Sequence, residues 1–136
     1  VRHYTVFVTA TDFEGRRSGY VAGMRQLIDT MERSLPDMEM HGIATRVGAV
    51  LQAQLPNLEA FASLDLSSKG DPDEILSVFL RAQHLPRMIV AFGKVLQEEG
   101  STAWLPLRKR ATQLAEELAL VLQEWALSLP PPPAAD

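Results

Sequence analysis

Leu107, Ala111, Leu114, Leu118, Val121 and Trp125 follow one another at spacings of four and three. Residues so spaced share one face of an α-helix, so Leu107–Leu129 reads as a long helix with an apolar seam. A proline tract, Pro130–Pro133, then stops it. The spacing also suits a coiled-coil zipper, and about three heptads is the short limit for one. Ala115, Leu122 and Leu129 lie at seven-residue intervals beside the seam and widen the stripe. A stripe that wide belongs to a core-facing helix rather than to the narrow seam of a two-stranded zipper. Such a helix needs other helices to cover it.

The rest of the chain supplies them. A first helix is predicted from about Ser18 to Ser34, where Val21, Met24, Ile28, Met31 and Leu35 keep the same spacing, with Leu27 beside them. Pro36 ends it. A second runs from about Asp37 to Gln54, with Asp37 as its N-cap and Ile43, Val47, Val50 and Leu51 on one face. Pro56 either kinks this helix or opens a short third one, whose buried face would be Leu58, Phe61 and Leu64. Asp65–Pro72 is a polar loop. Asp71 caps the next helix, Pro72 takes its first position, and Asp73 and Glu74 face the positive end of its dipole. Ile75, Leu76, Phe79 and Leu80 carry it to a kink or break at Pro86. Ile89, Val90, Phe92, Val95 and Leu96 extend it to Gly100, a natural C′ residue. Ser101 can cap the last helix, and Pro106 fits its first turn.

Val1–Ala10 has a different rhythm. Its β-branched and aromatic residues alternate with period two, the pattern of a strand, yet no second strand follows to pair with it. It is expected to pack as an extended arm, to pair with another chain, or to be helical after all. Thr11–Gly19 reads as a turn. The predicted fold is all-α, a compact and somewhat irregular bundle of five to six helices, kinked near Pro56 and Pro86. Residues 1–15 form an extended arm or strand, 16–129 a single bundle domain, and 130–136 a proline-rich tail or stiff linker.

At 136 residues the chain has the usual size of one domain, large enough for a core without staples. It has no cysteine, which excludes disulfides, thiolate metal sites and cysteine nucleophiles and fits a reducing, intracellular (cytoplasmic or nuclear) compartment. The net charge of −4 is spread along the chain, which argues against nucleic acid as the main partner. No apolar run approaches the ~18 residues of a membrane span, and the start lacks a signal-peptide pattern. The start at Val1 and the proline tract read as a piece of a longer protein, as processing, or as an alternative start codon.

Candidate sites are few. His3, His41 and His84 lie far apart, and none has a second histidine at helical spacing. Met38, Met40 and His41 are soft donors for an ion such as copper, but they read better as partly buried residues at a helix start. Tested as a calcium loop, Asp65–Leu76 matches at Asp65, Ser67 and Gly70 and fails at Lys69 and Leu76, where carboxylates should stand. Arg16-Arg17 and Arg108-Lys109-Arg110 are basic runs where phosphate or an acidic peptide could sit; the simpler reading is a solvated face. Glu116 and Glu117 read as solubilising the outer face of the last helix, and Glu124 as standing at an exposed helix position. No nucleophile–base order, phosphate loop or lysine in an apolar pocket stands out, so no catalytic residue, cofactor or metal is predicted. Leu129–Pro133 has the composition that proline-recognition domains read, without the flanking basic residue of an SH3 ligand.

His84-Leu85-Pro86, followed about forty residues later by a leucine-rich helix ending at Trp125, resembles the amino-terminal helical domain of transcription elongation factor S and its relatives. The resemblance covers residues 75–129 and implies a small helical bundle that docks short disordered peptides. Residues 1–70 lie outside it, and the interval from Leu118 to Trp125 is filled differently from the family's usual one.

The function expected is that of a non-enzymatic protein–protein interaction domain, an adaptor or scaffold within a larger protein or complex. A partner helix or short peptide would lie in an apolar groove, anchored by exposed Phe61, Phe92 and Trp104 and rimmed by Arg108 and Arg110. A homodimer through the long seam is a close variant. The alternatives are a small-molecule-sensing regulatory domain, with a pocket among Met24, Met31 and the aromatics, or a docking domain like that of elongation factor S.

Overall fold

The computed structural model describes residues 2–34, 43–67, 70–98, 102 and 104–129, and within them the side chains other than those at 2–12, 43, 44, 96 and 97. These residues form four α-helices: α1 (Arg2–Ser34), α2 (Ile43–Ala62), α3 (Pro72–Glu98) and α4 (Leu105–Ser128). The all-α class stands, while four helices replace the five or six expected. The predicted caps at Asp37, Gly100 and Ser101, the donors Met38, Met40 and His41, and the tail 130–136 lie outside the described residues.

The difference in count has local causes. The strand-like alternation at the start and the turn at Thr11–Gly19 are both absorbed into α1, which begins at Arg2 instead of about Ser18 and replaces the extended arm. Propensity for strand is weak against the backbone hydrogen bonds of a helix when no partner strand exists. Pro56 lies inside α2 and Pro86 inside α3, and neither ends its helix. Pro56 removes the donor to the carbonyl of Gln52, which is an exposed residue. Pro86 is buried, and its missing donor is replaced in another way, described below.

Each helix packs on two others: α1 on α2 and α4, and α3 on α2 and α4. The cross-contacts fix the directions. Arg25 reaches Glu59 while Glu32, further along α1, accepts from Gln52, earlier in α2, so these helices run antiparallel. Gly23 faces Leu114 while Arg16 pairs with Glu124, which makes α1 and α4 antiparallel as well. Phe79 meets Trp125 and Gly93 meets Arg108, so α3 and α4 follow suit. The result is an up-down-up-down bundle closed into a ring.

The seam of α4 is buried as predicted, at Leu107, Ala111, Leu114, Leu118, Val121 and Trp125. On α1, Val21, Met24, Leu27, Ile28 and Met31 are buried; on α2, Val47, Leu51, Leu58 and Phe61; on α3, Ile75, Val78, Phe79, Ala82, Leu85 and Ile89. Val50, expected on the apolar face of its helix, is exposed, as are Leu76, Leu80 and Val95 of α3. One aromatic row crosses the interior and touches all four helices. Tyr20 of α1 meets Phe61 of α2 edge-on at 5.7 Å, Phe61 meets Phe79 of α3 at 5.0 Å, and Phe79 meets Trp125 of α4 at 5.6 Å.

The start of α3 follows its sequence signals. The Asp73 amide donates to the Asp71 carboxylate at 3.0 Å, and the Ile75 amide to the Asp71 carbonyl at 3.0 Å. In the loop before it, Ser67 donates its amide to the Asp65 carboxylate at 2.9 Å. By length and hydropathy alone, Pro72–Val95 is long and apolar enough to cross a bilayer, contrary to the expectation that no segment is. Its buried stripe from Ile75 to Ile89 nonetheless packs against neighbouring helices in the manner of a core helix.

Candidate functional site

The five residues expected to bind a partner do not converge. Phe61 and Trp104 are both 0% exposed, so neither is the exposed anchor that was expected. Each fills the interior, Phe61 at the centre of the aromatic row. Phe92 is half-buried against the core. Arg108 and Arg110 leave α4 in different directions. The Arg108 stem lies over Gly93 of α3, where an added Cβ would meet its Cβ at 3.1 Å. Arg110 reaches toward Gly23 of α1 and donates to Gln113 at 3.3 Å. Two residues apart on a helix means opposite sides of it, and the tertiary neighbours show which sides these are. Met24 and Met31, expected to line a small-molecule pocket, are each 0% exposed and packed in the core.

Other charged residues are engaged between helices. Arg16 pairs with Glu124 at 2.9 Å and with Glu117 at 3.6 Å, tying α1 to α4. Glu124 is therefore a half-buried partner and not the exposed residue expected. Arg17 donates to the Leu64 carbonyl just beyond the end of α2, where a cation satisfies a helix terminus, and pairs with Glu14 at 2.7 Å. Arg25 holds the Glu59 carboxylate at 2.9 and 3.0 Å. These contacts supersede the reading of Arg16-Arg17 as a solvated or phosphate-binding run.

What sequence reading missed is the spacing of Gly15, Gly19 and Gly23. Intervals of four place all three on one face of α1. Read as part of a turn, the first two lost that meaning. At Gly23 α1 and α4 lie close together: an added Cβ would lie 2.7 Å from a Leu114 methyl and 3.1 Å from the Arg110 guanidinium. Around Gly15 and Gly19 the helices part, and nothing lies within 4 Å of where a Cβ would be. An open groove of about 410 Å³ results, with Gly15, Gly19 and Tyr20 on one side and Leu114, Arg110 and Glu117 on the other, and Arg16 at its rim. A smaller one of about 310 Å³ lies between α1 and α2, by Arg17, Ser18, Val21 and Arg25.

The chemistry on offer at the larger groove is bare backbone, a little apolar surface and both signs of charge. Burial pushes the Tyr20 phenol above its usual pKa, which keeps it a neutral donor. No three His, Asp or Glu side chains among the described residues gather closely enough to hold a metal ion. Exposed helical glycine is costly, so Gly19→Ala, and equally Gly15→Ala, is expected to stabilise the bundle by about 0.5–1 kcal/mol. Thermal unfolding of each variant checks this; a lower Tm would mean that the space beside α1 is filled.

Comparison with protein families, with characterised proteins and with solved structures finds no match to this chain.

Proposed function

We propose that the chain is a non-enzymatic helical interaction domain, of adaptor or scaffold type, that binds a partner helix or short peptide along the α1–α4 groove. The observation that carries this reading is the pair of exposed glycines with open space beside them, Gly15 and Gly19, in the interior of a long helix. Each weakens α1 by roughly 1 kcal/mol against alanine, and the bundle itself gains nothing from them. Close approach of another backbone gives them a use. Arg110 and Glu117 at the edges supply charges of opposite sign that would fix the orientation of what lies between them.

Phe61 and Trp104 leave the set of anchors because they are core residues, and Arg110 stays. Two surface leucines one turn apart on α3, Leu76 and Leu80, offer a second contact face, and a homodimer built on either surface is a variant of the same reading. An intracellular setting and a place within a larger assembly belong to the proposal too.

The test uses the full chain and a Gly15→Leu/Gly19→Leu variant as baits in the native source. The leucines enter open space and favour helix over glycine, so the variant should keep its helical circular dichroism with a Tm no lower than that of the natural chain. A protein recovered reproducibly by the natural chain and lost with the variant is the expected result. Equal recovery by both, or no reproducible partner for either, refutes the groove as the binding site. Light scattering of the purified chain separates the homodimer from a foreign partner.

A further inference from the structure

A proline inside a helix has no amide hydrogen for the carbonyl four residues before it. For Pro86 that carbonyl belongs to Ala82, which is 2% exposed, so water is a poor substitute donor. Leaving such an acceptor unpaired costs roughly five- to a hundredfold in the folding equilibrium. The Tyr20 hydroxyl of α1 donates to this oxygen at 3.3 Å. The bond crosses the ring, because α1 and α3 stand at opposite corners and each packs mainly on α2 and α4.

We propose that Tyr20 is a latch: its hydroxyl is the built replacement for the helical hydrogen bond that Pro86 removes, and it fastens α1 across the bundle to the middle of α3. Three features fit together here. The proline is buried, the orphaned carbonyl is buried, and the tyrosine, 1% exposed, brings to that spot an oxygen that a phenylalanine would lack. The ring of Tyr20 packs edge-on against Phe61, and that contact helps to aim the hydroxyl. The latch also fixes the rotation of α1 about its own axis. Tyr20 adjoins Gly19 and lines the α1–α4 groove, so the same bond sets which way the glycine face points. It stands whether or not that groove binds a partner.

A double-mutant cycle tests it, with Tyr20→Phe, Pro86→Ala and the pair, followed by urea unfolding and circular dichroism. In the natural background, Tyr20→Phe should raise the unfolding equilibrium constant roughly tenfold or more. Pro86→Ala restores the amide donor, so adding Tyr20→Phe there should change the constant less than about threefold. The ring contacts of residue 20 are present in every arm and cancel. An equal effect in both backgrounds overturns the latch. If Tyr20→Phe alone fails to fold, recovery of helical signal in the double variant supports the latch, and continued failure overturns it. A further measurement leaves Pro86 in place: in a Tyr4→Phe chain, the Raman doublet of the remaining tyrosine should be that of a hydrogen-bond donor, and the pattern of a free hydroxyl would refute the proposal.

Discussion

Phe61→Ala is expected to destabilise the bundle by about 3–5 kcal/mol. Phe61 is fully buried and stands between Tyr20 at 5.7 Å and Phe79 at 5.0 Å, both in edge-to-face geometry. Truncation removes the ring's transfer free energy and leaves a cavity that three helices surround and cannot easily close. The two edge-to-face contacts add about 0.5–1.5 kcal/mol each beyond area burial. Against a total stability of about 5–15 kcal/mol, the loss is a large share. Urea unfolding at equilibrium measures it. Phe79→Ala should cost a similar amount, and the pair should cost less than the sum, because the two rings share one contact. A loss below about 1 kcal/mol would place Phe61 at the surface, where an exposed partner anchor would stand.

Trp104→Ala is expected to cost about 3–5 kcal/mol as well, for a related reason. Its indole is 0% exposed and sits just before α4, and its carbonyl accepts the Arg108 amide at 2.8 Å. Losing the side chain empties space beside the first turn of that helix. Trp104→Phe should be far milder, about 1 kcal/mol or less. The indole N–H is buried with no acceptor among the described residues, so phenylalanine removes a polar group that folding leaves unpaired. The contrast between alanine and phenylalanine at this position is the diagnostic, read from the same urea titrations. Equal losses for the two would show that the indole N–H is paired in solution.

Where the sequence was legible, the signal was local and periodic. The seam of α4 needs only the 3.6-residue repeat, and all six of its members are buried. Val21 to Met31 on α1 follow by the same rule. The start of α3 was readable because a cap, a proline and two acids act within one turn, and Asp71 does receive the Asp73 amide. Legibility failed where a local signal had a distant competitor. The alternation in Val1–Ala10 specifies a strand only if another strand is present to pair with it. Gly15 and Gly19 look like turn residues until the helix on either side of them is known, and then they become a face.

The prolines show the same limit. Pro56 and Pro86 each remove one helical hydrogen bond, and the sequence alone registers a kink or a break at both. Whether the helix survives depends on the surroundings of the freed carbonyl: Gln52 is an exposed residue, and at buried Ala82 a tyrosine from the opposite corner of the ring donates. The candidate site followed that pattern too. Arg16, Arg17 and Glu124 carry no local mark of being paired, and their partners lie on other helices.

By itself, then, the sequence determined that this chain is helical and which stripe of each main helix turns inward, because both depend on spacing within a few turns. Only the tertiary structure decided that four helices form a ring, that Trp104 lies inside it, and that an open groove runs over Gly15 and Gly19. Depth and closeness are properties of pairs of helices, set by which surfaces meet across the bundle, and no window along a single helix contains them.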